Sequence, residues 1–132
     1  MPFSVDIKFI TETEQELGVE FPESFKQKMM IENGGELSTK EDDWQLYPFF
    51  DKSDNKRITR TINHIILETK QAREWRNFPK DGIAFASNGT GDQLVFIPSD
   101  SNPNKLRNEI YLWLHVTGEL TELASSISEL AK

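Results

Sequence analysis

Ile83-Ala84-Phe85-Ala86, followed by Ser87-Asn88-Gly89-Thr90-Gly91-Asp92 and then Leu94-Val95-Phe96-Ile97 before Pro98, sets two short apolar runs around a polar loop. Runs of four apolar residues are too short for an ordinary helix, and the glycines and asparagine between them favour a chain reversal. The stretch predicts a buried hairpin with a loop longer than two residues. After the polar segment Ser99-Asp100-Ser101-Asn102-Pro103-Asn104, a third run, Ile110-Tyr111-Leu112-Trp113-Leu114-His115, reads as another strand beside the first two.

Helical patterns flank these strands. Upstream, Ile58, Ile62, Ile65, Thr69, Ala72 and Trp75 form a stripe that predicts one long helix over 58–75. Lys56, Arg57, Arg60, Lys70, Arg73 and Arg76 surround it as solvated charges. Asp43-Trp44-Gln45-Leu46-Tyr47 alternates polar and apolar residues and ends at Pro48, which predicts a short edge strand. Ile7, Ile10 and Leu17 mark a first amphipathic helix stopped by Gly18. Pro22 suits the start of a second, which carries Phe21, Phe25 and Met29 four residues apart and ends at Asn33-Gly34-Gly35. Downstream, Leu120, Leu123, Ile127 and Leu130 predict a C-terminal helix with Thr121 as N-cap. The expected fold is a single α+β domain over 1–132, with a mainly antiparallel or mixed sheet flanked by N-terminal, central and C-terminal helices.

The formal net charge of -7 disfavours nucleic acid and anionic membrane as direct partners, since both draw affinity from lysine and arginine, and it suits a basic protein partner. The absence of cysteine excludes disulfides, thiolate catalysis and cysteine metal sites. No apolar run is long enough to span a bilayer, and Met1 to Asp6 lacks the features of a secretory signal. A cytoplasmic location is the expectation.

No residue pattern assigns catalysis, a cofactor or a metal. His64 and His115 belong to no recognised metal or triad signature, and each reads as structural. Gly89-Thr90-Gly91-Asp92 lacks the Gly-Lys-Ser/Thr ending and the following helix of a phosphate loop, so it reads as a tight turn. Glu41-Asp42-Asp43 lacks calcium-loop spacing and reads as a solvated or partner-facing acidic patch. Trp75 and Trp113 fit the apolar pattern and are expected in the core. Trp44 follows the acidic residues and its role stays open.

Four landmarks resemble the SUKH superfamily in order along nearly the whole chain. Glu16-Leu17-Gly18-Val19-Glu20-Phe21-Pro22-Glu23-Ser24-Phe25 runs on to Asn33-Gly34-Gly35. Ile83 to Asp92 is similar to the family's strand, turn and Gly-Asp element. Ile110 to Glu119 resembles its aromatic strand followed by histidine and a Gly-acid turn at Gly118, and Leu123 to Leu130 its final Ala-Ser-apolar segment. Lys28, Leu114 and Val116 depart from the usual pattern. The resemblance implies an α+β domain without cofactor or catalytic centre, in which Gly18, Pro22, Asn33, Gly34, Gly35, Gly89, Gly91, Asp92, Trp113 and Gly118 are structural. It implies an immunity protein that neutralises a cognate polymorphic toxin, a nuclease or deaminase, by stoichiometric occlusion. A regulatory scaffold of the same fold is the alternative. A small hydrolase would need a pocket joining His115 and Asp92, which no motif supports. For the partner contact, the acidic residues Glu36, Glu41, Asp42 and Asp43 with Trp44 as a neighbouring exposed aromatic are the candidates. The sequence assigns no oligomeric state.

Overall fold

Asp6 opens the first helix, α1 (Ile7–Leu17), by accepting the Lys8 N–H on its carboxylate at 3.0 Å. Gly18 closes it at φ 74°, donating its N–H to the Glu14 carbonyl. The structure, a computed structural model, describes residues 3–39 and 42–130. The buried face of α1 carries Phe9, Ile10 and Thr13, whereas Ile7 points outward. Pro22 then leads into α2 (Glu23–Ile31), which buries Phe25 and Met29. The Glu14 carboxylate joins the two helices, accepting the Phe21 N–H at 2.8 Å and pairing with Lys26 at 3.2 Å.

Asn33 turns the chain from helix into sheet. Its side-chain amide donates to the Phe49 carbonyl at 2.9 Å and accepts the Phe49 N–H at 2.8 Å, so a buried side chain satisfies both backbone groups of Phe49. Gly34 and Gly35, at φ 110° and 86°, then reverse the chain directly into β1 (Gly35–Ser38). The sheet continues through β2 (Asp43–Leu46), β3 (Ile83–Ser87), β4 (Gln93–Phe96), β5 (Ile110–Trp113) and β6 (Leu120–Ala124). All six lie side by side in chain order, each antiparallel to the next. The strands expected around 83–86, 94–97 and 110–114 are neighbours, as the sequence predicted.

Three expectations need correction. The Asp43–Tyr47 segment is not an edge strand, because β1 pairs along its outer side; the sequence marked Gly34-Gly35 only as a helix end. The long helix over 58–75 is two helices, α3 (Asn55–Arg60) and α4 (Ile65–Ala72). At the break the Ile65 N–H bonds the Pro48 carbonyl in place of a helical one, while Thr61, the C-cap of α3, accepts the Asp51 N–H on its hydroxyl. His64 is therefore the N-cap of α4, not a helix-interior residue, and Ile62 faces solvent. Finally, Leu120 to Ala124 forms β6, and only α5 (Ile127–Leu130) is helical. Thr121 is the register partner of Leu112, and Ser126 is the residue whose hydroxyl accepts the Glu129 N–H. The free side of β5 supplies hydrogen bonds that a marginal helix over the same residues would have to find within itself.

One sheet face carries the main core, where Phe21, Phe25, Phe49, Phe85 and Phe96 form a continuous aromatic cluster with centroids between 4.3 and 6.0 Å apart. Full burial of each such side chain stabilises the fold by about 1.5–3 kcal/mol. The opposite face is covered only in part, by α4. There Ala72, Ala84, Val95 and Trp113 form a smaller cluster, and the Thr69 hydroxyl bonds both the N–H and the carbonyl of Ala84 at 3.1 and 3.2 Å. Among the described residues no helix is long and apolar enough to cross a membrane.

Candidate partner-binding face

Strand register sets one row of side chains across the half-covered face. Glu36 pairs with Gln45, Gln45 with Ser87, Ser87 with Gln93, Gln93 with Trp113, and Trp113 with Leu120. Paired residues in an antiparallel sheet project to the same side, so the row runs through all six strands. Its β1–β2 end is open: Glu36, Ser38, Asp43 and Gln45 are exposed, while the alternate positions Leu37, Trp44 and Leu46 are buried in the main core.

Of the sequence-predicted contact residues, the structure brings Glu36, Asp42 and Asp43 together on this hairpin, all exposed. Glu41 lies outside the described residues. Trp44 is only 3% exposed and points to the other side of the sheet, so it is a core residue and not an exposed anchor. Period-2 alternation explains this, because a residue flanked by exposed Asp43 and Gln45 must face inward. Trp75, expected in the core, is instead 42% exposed. It follows the end of α4 and lies flat on buried Trp113, with centroids 5.7 Å apart and planes 13° from parallel, while Phe78 packs edge-on against both. The indole N–H of Trp113 donates to the Asn77 carbonyl at 3.1 Å, fixing the ring beneath.

Side-chain hydrogen bonds hold the hairpin turns at this end of the sheet in fixed relation. Thr39 and Asp42 close the β1–β2 turn, the Thr39 N–H donating to the Asp42 carbonyl at 2.8 Å. Asn88, in the β3–β4 loop, donates from its amide to Asp42 at 2.7 Å and to Asp92 at 3.2 Å. Asp92 in turn accepts the His115 backbone N–H at 3.1 Å and meets the His115 ring Nδ1 at 2.7 Å, reaching the β5–β6 turn. Burial by itself would raise the Asp92 pKa, but the bonds from His115 and Asn88 outweigh it and hold the carboxyl below its ordinary range. Gly91, at φ 110°, makes room for this contact: a Cβ there would stand 3.0 Å from the His115 ring.

The His115–Asp92 pairing, for which the sequence offered no motif, is thus real, but its neighbours are turn groups. Its partners are the His115 backbone, the Asn88 amide and the glycine beside it. His64 sits apart, stacked on Phe50 at 4.6 Å, with Nδ1 accepting the Leu67 N–H at 3.4 Å; burial lowers its pKa, and the smaller effect of the Lys70 charge acts the same way against the opposing pull of Glu16. Among the described residues no group of three or more His, Cys, Asp or Glu is placed to hold a metal ion. Nearer the row, the Tyr47 hydroxyl donates to Gln93 at 2.8 Å, and burial pushes its pKa up. A cleft of about 330 Å³ between Phe3, the Gly34–Gly35 turn, Pro48 and Arg60 borders Glu36 and Gln45.

The model of the SMI1 / KNR4 family (SUKH-1) matches residues 5–132. No curated protein and no solved structure matches the chain.

Proposed function

We propose, from the premise that the chain belongs to the SMI1 / KNR4 family (SUKH-1), that it is an immunity protein that binds one cognate protein toxin and neutralises it by stoichiometric occlusion. The family is associated with binding toxins as immunity proteins. The observation that carries the reading for this chain is the open acidic hairpin: Glu36, Asp42 and Asp43 stand exposed, and among the described residues none of the three forms an ion pair.

Carboxylates that form no ion pair among the described residues keep their field for a partner. On a chain of net charge -7 they attract a basic surface, of the kind a nuclease presents to its own substrate, and raise the association rate. The turn lacing adds preorganisation, since groups already fixed lose less conformational entropy on binding. Neutralisation then follows from covering the toxin's substrate groove, with no chemical step. The Asp92–His115 pair fits that role because its hydrogen bonds are spent on joining turns.

The test starts from the reading frames beside this chain's gene: a toxin domain found there is co-expressed with the chain, and kinetics are measured on the purified pair. Protection, and an association rate that falls steeply with salt in the wild type but less so in Glu36→Gln/Asp42→Asn/Asp43→Asn, is the expected result. A folded chain that gives no protection contradicts the reading.

A further inference from the structure

Resting on that toxin-binding reading, the geometry points to Trp75 and Leu120 as the apolar anchor of the interface, at the opposite end of the same row from the acidic hairpin; we infer that a basic protein surface seats on both. The indole of Trp75 has one face against Trp113 and is edged by Phe78, so what it exposes is a flat, immobilised aromatic surface. Leu120, the register partner of Trp113, projects from the same side of the sheet and is 39% exposed. A rigid aromatic and an aliphatic group that both adjoin Trp113 have the composition of a binding hot spot, because their burial releases water at little cost in rotamer entropy.

Charge selects the occupant. Glu122, two residues beyond Leu120 on exposed β6, shares this side as the register partner of Tyr111, and Glu119 precedes it. Among the described residues neither forms an ion pair, as Glu36, Asp42 and Asp43 do not. Arg73 and Arg76 flank Trp75 in the turn after α4, with Glu74 between them, and the Arg73 Nε–H donates to the Gly82 carbonyl. The apolar patch therefore has carboxylates on its sheet side and at the far end of its row. A second copy of the chain would bring like-charged strands together, whereas a basic partner meets a complementary field at both ends. Six strands set the two ends about 24 Å apart at roughly 4.8 Å per spacing, which one standard-size interface spans.

The experiment uses as its probe the toxin domain that co-expression identifies as the chain's partner, catalytically inactivated. It measures association and dissociation for wild type, Trp75→Ala, Leu120→Lys and the acidic triple variant, each checked for folding by its thermal transition. Leu120→Lys changes an exposed strand position and guards against misfolding of Trp75→Ala. Both anchor variants should dissociate at least tenfold faster with association nearly unchanged, the reverse of the triple variant. Trp75 should also become protected from hydroxyl-radical oxidation in the complex. Wild-type binding with both anchor variants unaltered overturns the anchor and leaves the immunity reading standing; absence of wild-type binding overturns both. A concentration-dependent dimer of the free wild type that Leu120→Lys abolishes would reassign the patch to self-association and also overturn it.

Discussion

His115 and Asp92 meet at 2.7 Å between Nδ1 and Oδ1, across 23 residues of sequence, and Asn88 extends the link to Asp42. Turns that reverse separate hairpins thereby behave as one surface, and that surface borders the proposed toxin contact.

Asp92 has its pKa lowered in the folded chain, so its ionised form is stabilised by folding. This contribution is complete above the ordinary carboxyl value of 3.8 and is lost as pH falls through the lower folded value. Asp92→Asn should remove that part of the acid sensitivity, and should increase amide exchange at residues 88–92 at neutral pH. Wild-type and variant unfolding curves with the same dependence below pH 4 would contradict the assignment.

His64 gives a second pH dependence of the same sign from a base. Its pKa is lowered in the fold, burial being the main cause, and its neutral Nδ1 caps α4. The unfolded chain then binds the proton more readily, so stability is full above the ordinary value of 6.5 and declines as pH falls below it toward the folded value. His64→Asn keeps a capping acceptor and should flatten this part of the stability profile, measured by urea unfolding between pH 5 and 7.5. An unchanged slope would exclude His64 as its source. Toxin protection should survive the substitution.

Two glycines of one loop separate strain from crowding. Gly89 and Gly91 both have positive φ, but a Cβ at Gly89 meets nothing within 4 Å, while at Gly91 it meets the His115 ring at 3.0 Å. Gly89→Ala should cost about 1 kcal/mol, the backbone penalty alone. Gly91→Ala should cost more and should also loosen the His115–Asp92 contact, seen as a shift of the His115 ring resonances. Equal costs at the two sites would refute the crowding argument.

The three tryptophans show where sequence reading reaches and where it stops. Trp113 was legible because apolar strand runs bounded by turns are buried. The acidic neighbours of Trp44 suggest an exposed contact, but the alternation of Asp43 to Tyr47 puts it inward, because the sheet has a single buried side there. For Trp75 the helical stripe over 58–75 points to the core, but α4 ends at Ala72, so Trp75 lies beyond the last helical turn and stacks on Trp113 with its other face open. The same limit applies to Leu120 and Leu123: their spacing fits a helix, but the vacant side of β5 decides for a strand. Of the acidic candidates, exposure of Glu36, Asp42 and Asp43 followed from local polarity; their link to Asp92 and His115 needed the tertiary fold.

Trp44→Ala accordingly should act on stability and not on recognition, costing about 3–5 kcal/mol by removal of a buried aromatic. Trp44→Phe should cost less, since the buried indole Nε1 has no hydrogen-bond partner to lose among the described residues. Chemical denaturation gives the stabilities, and dissociation of the folded Trp44→Phe variant from the toxin should match wild type. Faster dissociation at unchanged fold would return Trp44 to the interface.

The most direct measurement of the central claim is a titration of the cognate toxin's catalytic activity with purified chain, at toxin concentrations well above the dissociation constant. Stoichiometric occlusion predicts a linear fall in activity that reaches its floor at one equivalent, with the same endpoint at every toxin concentration. Full toxin activity in the presence of a tenfold excess of folded chain would contradict it.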